Sequence, residues 1–190
     1  MKSEAISIDR YTGSEPEEKF DFIYENFAVI QEMIKDYRED LITEVIEQKS
    51  YNRRSASGDL GVRIQISMGI GNPTQNQAID HLTIGQAIDE GFLDDDFFED
   101  TDNRYELIRK VDCYHRVRSD VDTFTSKLGT MDPKDQRILR PYLMRQKTMD
   151  DLTEDMGIEY RSAIKRVYRI KKRLIEKVEP KLTVVNRRGV

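Results

Sequence analysis

Residues 131–180 read MDPKDQRILRPYLMRQKTMDDLTEDMGIEYRSAIKRVYRIKKRLIEKVEP, and three helix signatures in this stretch decide the fold. Asp132 before Pro133 is a capping residue followed by proline at the first helical position. It predicts a helix with Ile138, Leu139, Tyr142 and Leu143 on its apolar face. Pro141 lies inside that pattern and lacks the amide that the helix needs, so the helix kinks or shortens there. Thr148 with Asp151 three residues on resembles a capping box. It opens a short helix bearing Leu152 and Met156 and ending at Gly157. After Ile158 a third helix is expected from about Tyr160 to Val178, with Ala163, Val167, Ile170 and Leu174 on one face and basic residues on the others. A short helix, a glycine turn and a longer basic helix form the outline of a helix-turn-helix, whose second helix sits in the major groove of DNA.

The charge pattern agrees with that outline. The 190 residues hold 31 Lys+Arg and 36 Asp+Glu, a net charge of −5. Residues 131–190 alone hold 16 and 9, or +7, which leaves −12 on the first 130. Such asymmetry points to a nucleic-acid or acidic-partner surface on the basic end. The density peaks at Arg161, Lys165, Arg166, Arg169, Lys171, Lys172 and Arg173, with no acidic residue between Arg161 and Arg173. Arg and Lys bond guanine O6 and N7 or phosphates, while Ser and Tyr reach bases or backbone. N-terminal positions of a recognition helix meet bases, which assigns Tyr160, Arg161, Ser162 and Lys165 to base readout, with Arg166 and Arg169 next. Lys147, Thr148, Lys172 and Arg173 are assigned to phosphates, although capping and phosphate binding compete for the Thr148 hydroxyl. The bland alternative is a solvated basic helix in a bundle.

Outward from this stretch the chain reads as mostly all-α. From about Glu15 to Gln48, Phe20, Ile23, Phe27, Ile30, Ile34, Tyr37, Leu41 and Val45 recur at spacings of three and four, predicting one long helix capped by Ser14 and Glu17. Residues 50–73 are rich in Gly and Ser and predict a loop, with at most a short strand over 62–66. A helix follows from Thr74, ended by Gly91, then an acidic connector over 94–100. A second long helix is expected from about Asp102 to Lys127, with Tyr105, Ile108, Val111, Tyr114, Val117, Val121, Phe124 and Leu128 on one face. The two long stripes leave water most cheaply as an antiparallel helix pair. This places a domain boundary at 129–131. An acidic helical domain (1–130) for dimerisation or partner contact precedes a helix-turn-helix domain (131–180) and a flexible tail (181–190).

Composition excludes several classes. With 37% hydrophobic and 35% charged residues and a mean hydropathy of −0.70, apolar side chains must concentrate on helical stripes. No run of 18 apolar residues and no apolar core near the N-terminus indicates insertion or secretion, so a cytoplasmic chain without membrane contact is expected. One Cys and two His, with no CxxC or HxxxH spacing, supply neither a disulfide nor zinc ligands. Gly69 to Asn72 lacks the Lys-Ser/Thr of a phosphate loop, and Asp94 to Asp102 lacks the calcium-loop pattern. His81, His115 and Cys113 form no nucleophile motif. No catalytic residue, metal or cofactor is expected, and the chain reads as a non-enzyme.

The stretch from Thr148 to Leu174 resembles region 4 of sigma-70-type RNA polymerase sigma factors, especially the short extracytoplasmic kind. Such factors commonly show a threonine before an acidic-apolar helix, an L-G-I turn and a helix ending R-x-x-R-x-x-K-x-L. Met156-Gly157-Ile158, Arg166, Arg169, Lys172 and Leu174 occupy those places. The resemblance covers about 50 residues and implies that Arg161, Ser162, Lys165 and Arg166 meet a −35 promoter element and that neighbouring surface meets polymerase. Residues 1–130 show no aromatic-rich, basic region that would melt a −10 element. The layout across most of the chain, including Gly71-Asn72-Pro73-Thr74 before Gln75, is similar to phage late-operon activators of the RinA and ArpU kind. That resemblance implies a phage- or prophage-derived transcription regulator in a bacterial or phage-infected cell, acting on double-stranded DNA; the N-terminal helices would then supply homodimerisation or a contact with RNA polymerase. Two other readings stand beside it: a DNA-packaging module of the small-terminase kind, and a polymerase-binding adaptor that does not bind DNA.

Overall fold

The structure, a computed structural model, describes residues 8–56 and 73–182, and every regular element among them is helical. The chain is all-α. Its elements are α1 (Ile8–Tyr11), α2 (Pro16–Asn26), α3 (Ile30–Ala56), α4 (Pro73–Glu90), α5 (Asp95–Phe98), α6 (Arg104–Gly129), α7 (Pro133–Leu143), α8 (Met149–Met156), α9 (Tyr160–Val178) and a closing 3-10 turn, Glu179–Lys181. No helix among the described residues is long and apolar enough to cross a membrane.

The chain divides into two compact units, residues 1–34 with 116–190 and residues 35–115. The divisions fall inside the long helices α3 and α6, away from the boundary expected at 129–131. Residues 8–34 share their unit with α7, α8 and α9 because their apolar side chains are buried there. Phe124 of α6 meets Phe20 and Phe27 at ring separations of 5.5 and 5.2 Å. Tyr11 donates its hydroxyl to Asp120 Oδ2 at 3.0 Å, and the buried Lys19 ammonium lies 5.4 Å from the Tyr11 ring centre. Burial, reinforced by the Asp120 charge, pushes the Tyr11 phenol well above its usual pKa. The same unit contains α9, which buries Ala163, Val167, Ile170, Leu174 and Val178. In the other unit α3 and α6 run antiparallel, since Glu44 pairs with Lys110 at 2.8 Å and Asn52 with Asp102 at 2.8 Å. There α4 is tied to α3 by Asp89, which accepts from Arg38 Nε and Nη2 at 2.8 and 2.7 Å and from the Tyr114 hydroxyl at 2.8 Å.

Several expected element limits are corrected. The helix expected over 15–48 is two helices: after α2 the Val29 amide bonds back three residues to the Asn26 carbonyl at 2.9 Å, and the chain turns through 27–29 before α3 starts. Its start shifts by one residue: the Ser14 hydroxyl donates to the Arg10 carbonyl and closes α1, while Glu18 accepts from the Glu15 amide. The loop expected over 50–73 is helical as far as Ala56; the strand over 62–66 lies outside the described residues. Part of the acidic connector is helical, since Asp94 Oδ1 accepts from the Phe97 amide at 2.8 Å and the adjoining Phe97 and Phe98 are buried. On α6, Tyr105 is 90% exposed and Ile108 40%, and Leu107 is buried in their stead. The buried arc continues from Leu107 to Val111, and Tyr105 lies about 200° from Leu107 around the helix. Of the tail, Lys181 belongs to the 3-10 turn and Leu182 is buried, whereas 183–190 lie outside the described residues.

Candidate nucleic-acid interface

The three helices of residues 131–180 form where their caps and breakers require. Asp132 Oδ1 accepts from the Lys134 amide at 2.8 Å, and α7 ends at Leu143, two residues after Pro141. The Pro141 carbonyl then accepts from the Gln146 and Lys147 amides, which turns the chain into α8. At Thr148 the capping box is complete: Asp151 Oδ2 accepts from the Thr148 amide at 2.7 Å and its hydroxyl at 2.8 Å, and that hydroxyl accepts from the Asp151 amide at 3.3 Å. These bonds, the backbone one foremost, hold the Asp151 carboxyl below the ordinary carboxylate range. A lowered pKa gives stability that is present above the unfolded value and is lost as pH falls through the folded value. Acidification from about pH 5 to 2 is therefore expected to destabilise the wild-type chain more than Asp151→Asn, read as urea midpoints. Equal pH slopes for the two proteins would show that the box contributes nothing.

Gly157 ends α8 in the left-handed region, at φ 60 and ψ 37. A Cβ there meets nothing within 4 Å, so the backbone conformation alone calls for glycine. Gly157→Ala is expected to cost about 1–2 kcal/mol, and Gly157→Asn less, because a short polar side chain tolerates this region. Urea denaturation checks this; an alanine variant as stable as wild type would place the demand elsewhere.

Beyond Gly157, α9 presents two polar strips away from its buried face. Arg161, Lys165 and Lys172 lie on one and are exposed. Ser162, Arg166, Arg169 and Arg173 lie on the other, lining an open groove of about 470 Å³ with Asp132, Lys134 and Asp135 from the start of α7. The base-readout candidates Tyr160, Arg161, Ser162, Lys165, Arg166 and Arg169 are all exposed on α9, but Tyr160 and Arg166 lie at opposite edges of its buried face, so the six do not share one side of the helix. The phosphate candidates are less alike. Lys172 is exposed, Lys147 is ion-paired with Asp155, Arg173 pairs with the buried Asp135 at 2.9 Å, and the Thr148 hydroxyl is spent in the cap. Lys171 leaves the basic surface altogether: its ammonium bonds Asp21 Oδ1 at 2.7 Å and lies 4.6 Å from the Tyr24 ring centre, docking α9 onto α2.

Sequence reasoning missed two groups. Lys134, Arg137 and Arg140 are exposed on α7, and their spacing of three residues was the available signal. Ile164 and Tyr168 are exposed on α9, a fact that periodicity alone conceals because both are apolar. The unit that contains α9 carries 22 Lys+Arg against 19 Asp+Glu, and the other carries 9 against 17. The candidate interface therefore lies in the unit of net positive charge. Among the described residues no group of three or more His, Cys, Asp or Glu is placed to hold a metal ion. The histidines make local bonds, His115 to the Ile88 carbonyl at 2.7 Å and His81 to Glu39 at 3.0 Å. Cys113 is buried. Compared with known proteins, the chain matches no family model, no curated protein and no solved structure.

Proposed function

We propose that the chain is a sequence-specific, non-enzymatic DNA-binding transcription regulator of the phage or prophage type, acting at promoters in the bacterial cytoplasm. The observation that carries this reading is the capped α8, the left-handed Gly157 turn and a 19-residue α9 that exposes Arg161, Lys165, Arg166, Arg169, Lys172 and Arg173. Such a helix meets base edges with its first turns while flanking cations hold phosphates. The resemblance of Thr148 to Leu174 to sigma region 4 supports a promoter as the target and a contact with RNA polymerase. The similarity to RinA- and ArpU-type activators supports a phage setting.

Selection of binding sites from a random duplex library by the full chain, at two salt concentrations, tests the proposal. The expected result is one recurrent motif bound at least about 10³-fold more tightly than random duplex, with affinity falling linearly on a log scale as salt rises. Binding that is absent, or indifferent to sequence, would overturn it. Capture of purified RNA polymerase under the same conditions would then favour the adaptor reading.

A further inference from the structure

An apolar seam runs along the recognition surface. Tyr160, Ile164 and Tyr168 follow one another at intervals of four residues on α9 and are 49%, 42% and 67% exposed. Residues at this interval share one side of a helix. Around the helix Tyr168 lies about 20° from Arg161 and about 60° from Lys165, so this end of the seam adjoins the cations assigned to bases, whereas Tyr160 lies about 20° from the buried Val167. Ile164 is an aliphatic side chain with no polar atom, and 42% of it remains open to water.

We propose that Ile164 and Tyr168 read the C5 methyl groups of thymines in the major groove, so that the preferred duplex carries thymine beside the bases met by Arg161 and Lys165. The inference rests on the reading of α9 as a recognition helix and adds the chemical class of its target. The major groove offers one apolar feature that separates bases, the thymine methyl, and an aliphatic or aromatic side chain is its complement. The flanking cations draw the groove onto this seam, and the methyl then leaves water against Ile164 and the Tyr168 ring.

The test replaces each thymine of the selected site, one at a time, by deoxyuridine, which keeps base pairing and removes only the methyl. For the wild-type full chain, affinity is expected to fall about fourfold at one or two positions, the fold-change that corresponds to one buried methyl group. In Ile164→Ala or Tyr168→Ala the selected site binds more weakly, and one of those uridine effects disappears. Ile164→Val keeps it. Both side chains are exposed, so unchanged thermal unfolding of the variants is expected and separates lost contact from lost structure. A selected site without thymine, uridine duplexes bound as well as thymine duplexes, or uridine effects that persist in both alanine variants would overturn the inference and leave DNA recognition standing. Failure to select any site would overturn the regulator reading itself, and the inference with it.

Discussion

Replacing Arg161 and Lys165 together by alanine is expected to lower affinity for the selected site by roughly a hundredfold or more, while thermal unfolding stays where it was. Each well-made contact from such a side chain to a base edge contributes about 1–3 kcal/mol of discrimination, and the two losses combine. Both side chains are exposed on α9, outside its buried face of Ala163, Val167, Ile170 and Leu174, so the fold does not depend on them. Arg109→Ala in the electronegative unit removes a charge from an equally exposed position on α6 and is expected to leave site binding unchanged. Fluorescence anisotropy with the selected and a scrambled duplex reads both effects. Equal binding by the wild type and the double variant would sink the assignment of α9 to base readout, because no other strip of this helix begins at its N-terminal turn with two cations. A loss of the same size on the scrambled duplex would make these residues phosphate contacts.

The largest stability effect is expected at Phe124, far in sequence from α9. Its ring is fully buried between Phe20 and Phe27. Truncation to alanine removes both ring contacts and leaves a cavity, at a cost of about 3–5 kcal/mol. That is a large part of the total stability of an ordinary domain, about 5–15 kcal/mol. Because Phe124 shares its compact unit with α7, α8 and α9, DNA binding should fail at the same denaturant concentration as helical structure. Tyr105→Ala, on the same helix but 90% exposed, should stay within about 0.5 kcal/mol of wild type. Urea titration followed by circular dichroism measures both. A Phe124 variant that melts in the residues around it but still binds DNA would mean that the helix-turn-helix folds independently of α2 and α6.

Residues 131–180 were legible because their signals are local. Asp132-Pro133, the Thr148 and Asp151 box and Gly157 each act on backbone within one turn, so residue type and spacing suffice. The buried face of α9 follows a regular heptad-like interval through Ala163, Val167, Ile170 and Leu174, and that interval could be read directly. The long N-terminal stripe was less reliable. Periodicity continues through Phe27, but a short turn there costs little in hydrophobic pattern, and the Val29 amide bonds to the Asn26 carbonyl three residues back instead of continuing the helical ladder. At the start of α6, Tyr105 and Ile108 match the apolar pattern as well as Leu107 does; only the neighbours of that turn select Leu107.

For the candidate interface, residue type and spacing alone say which helix bears the cations and where it begins, because capping, the glycine turn and amphipathic spacing are properties of the chain over a few residues. The tertiary structure decided which cations remain on the surface. Lys171, indistinguishable from Lys172 in composition, is bound by Asp21 and Tyr24 from 150 positions earlier, and Arg173 is paired with Asp135. It also decided that the N-terminal helices share a unit with the helix-turn-helix, since the buried Phe124 packs against both Phe20 and Phe27. Side chains far apart in sequence leave water together only when the chain brings them within contact. No local pattern encodes which of several equivalent apolar or charged residues will be chosen.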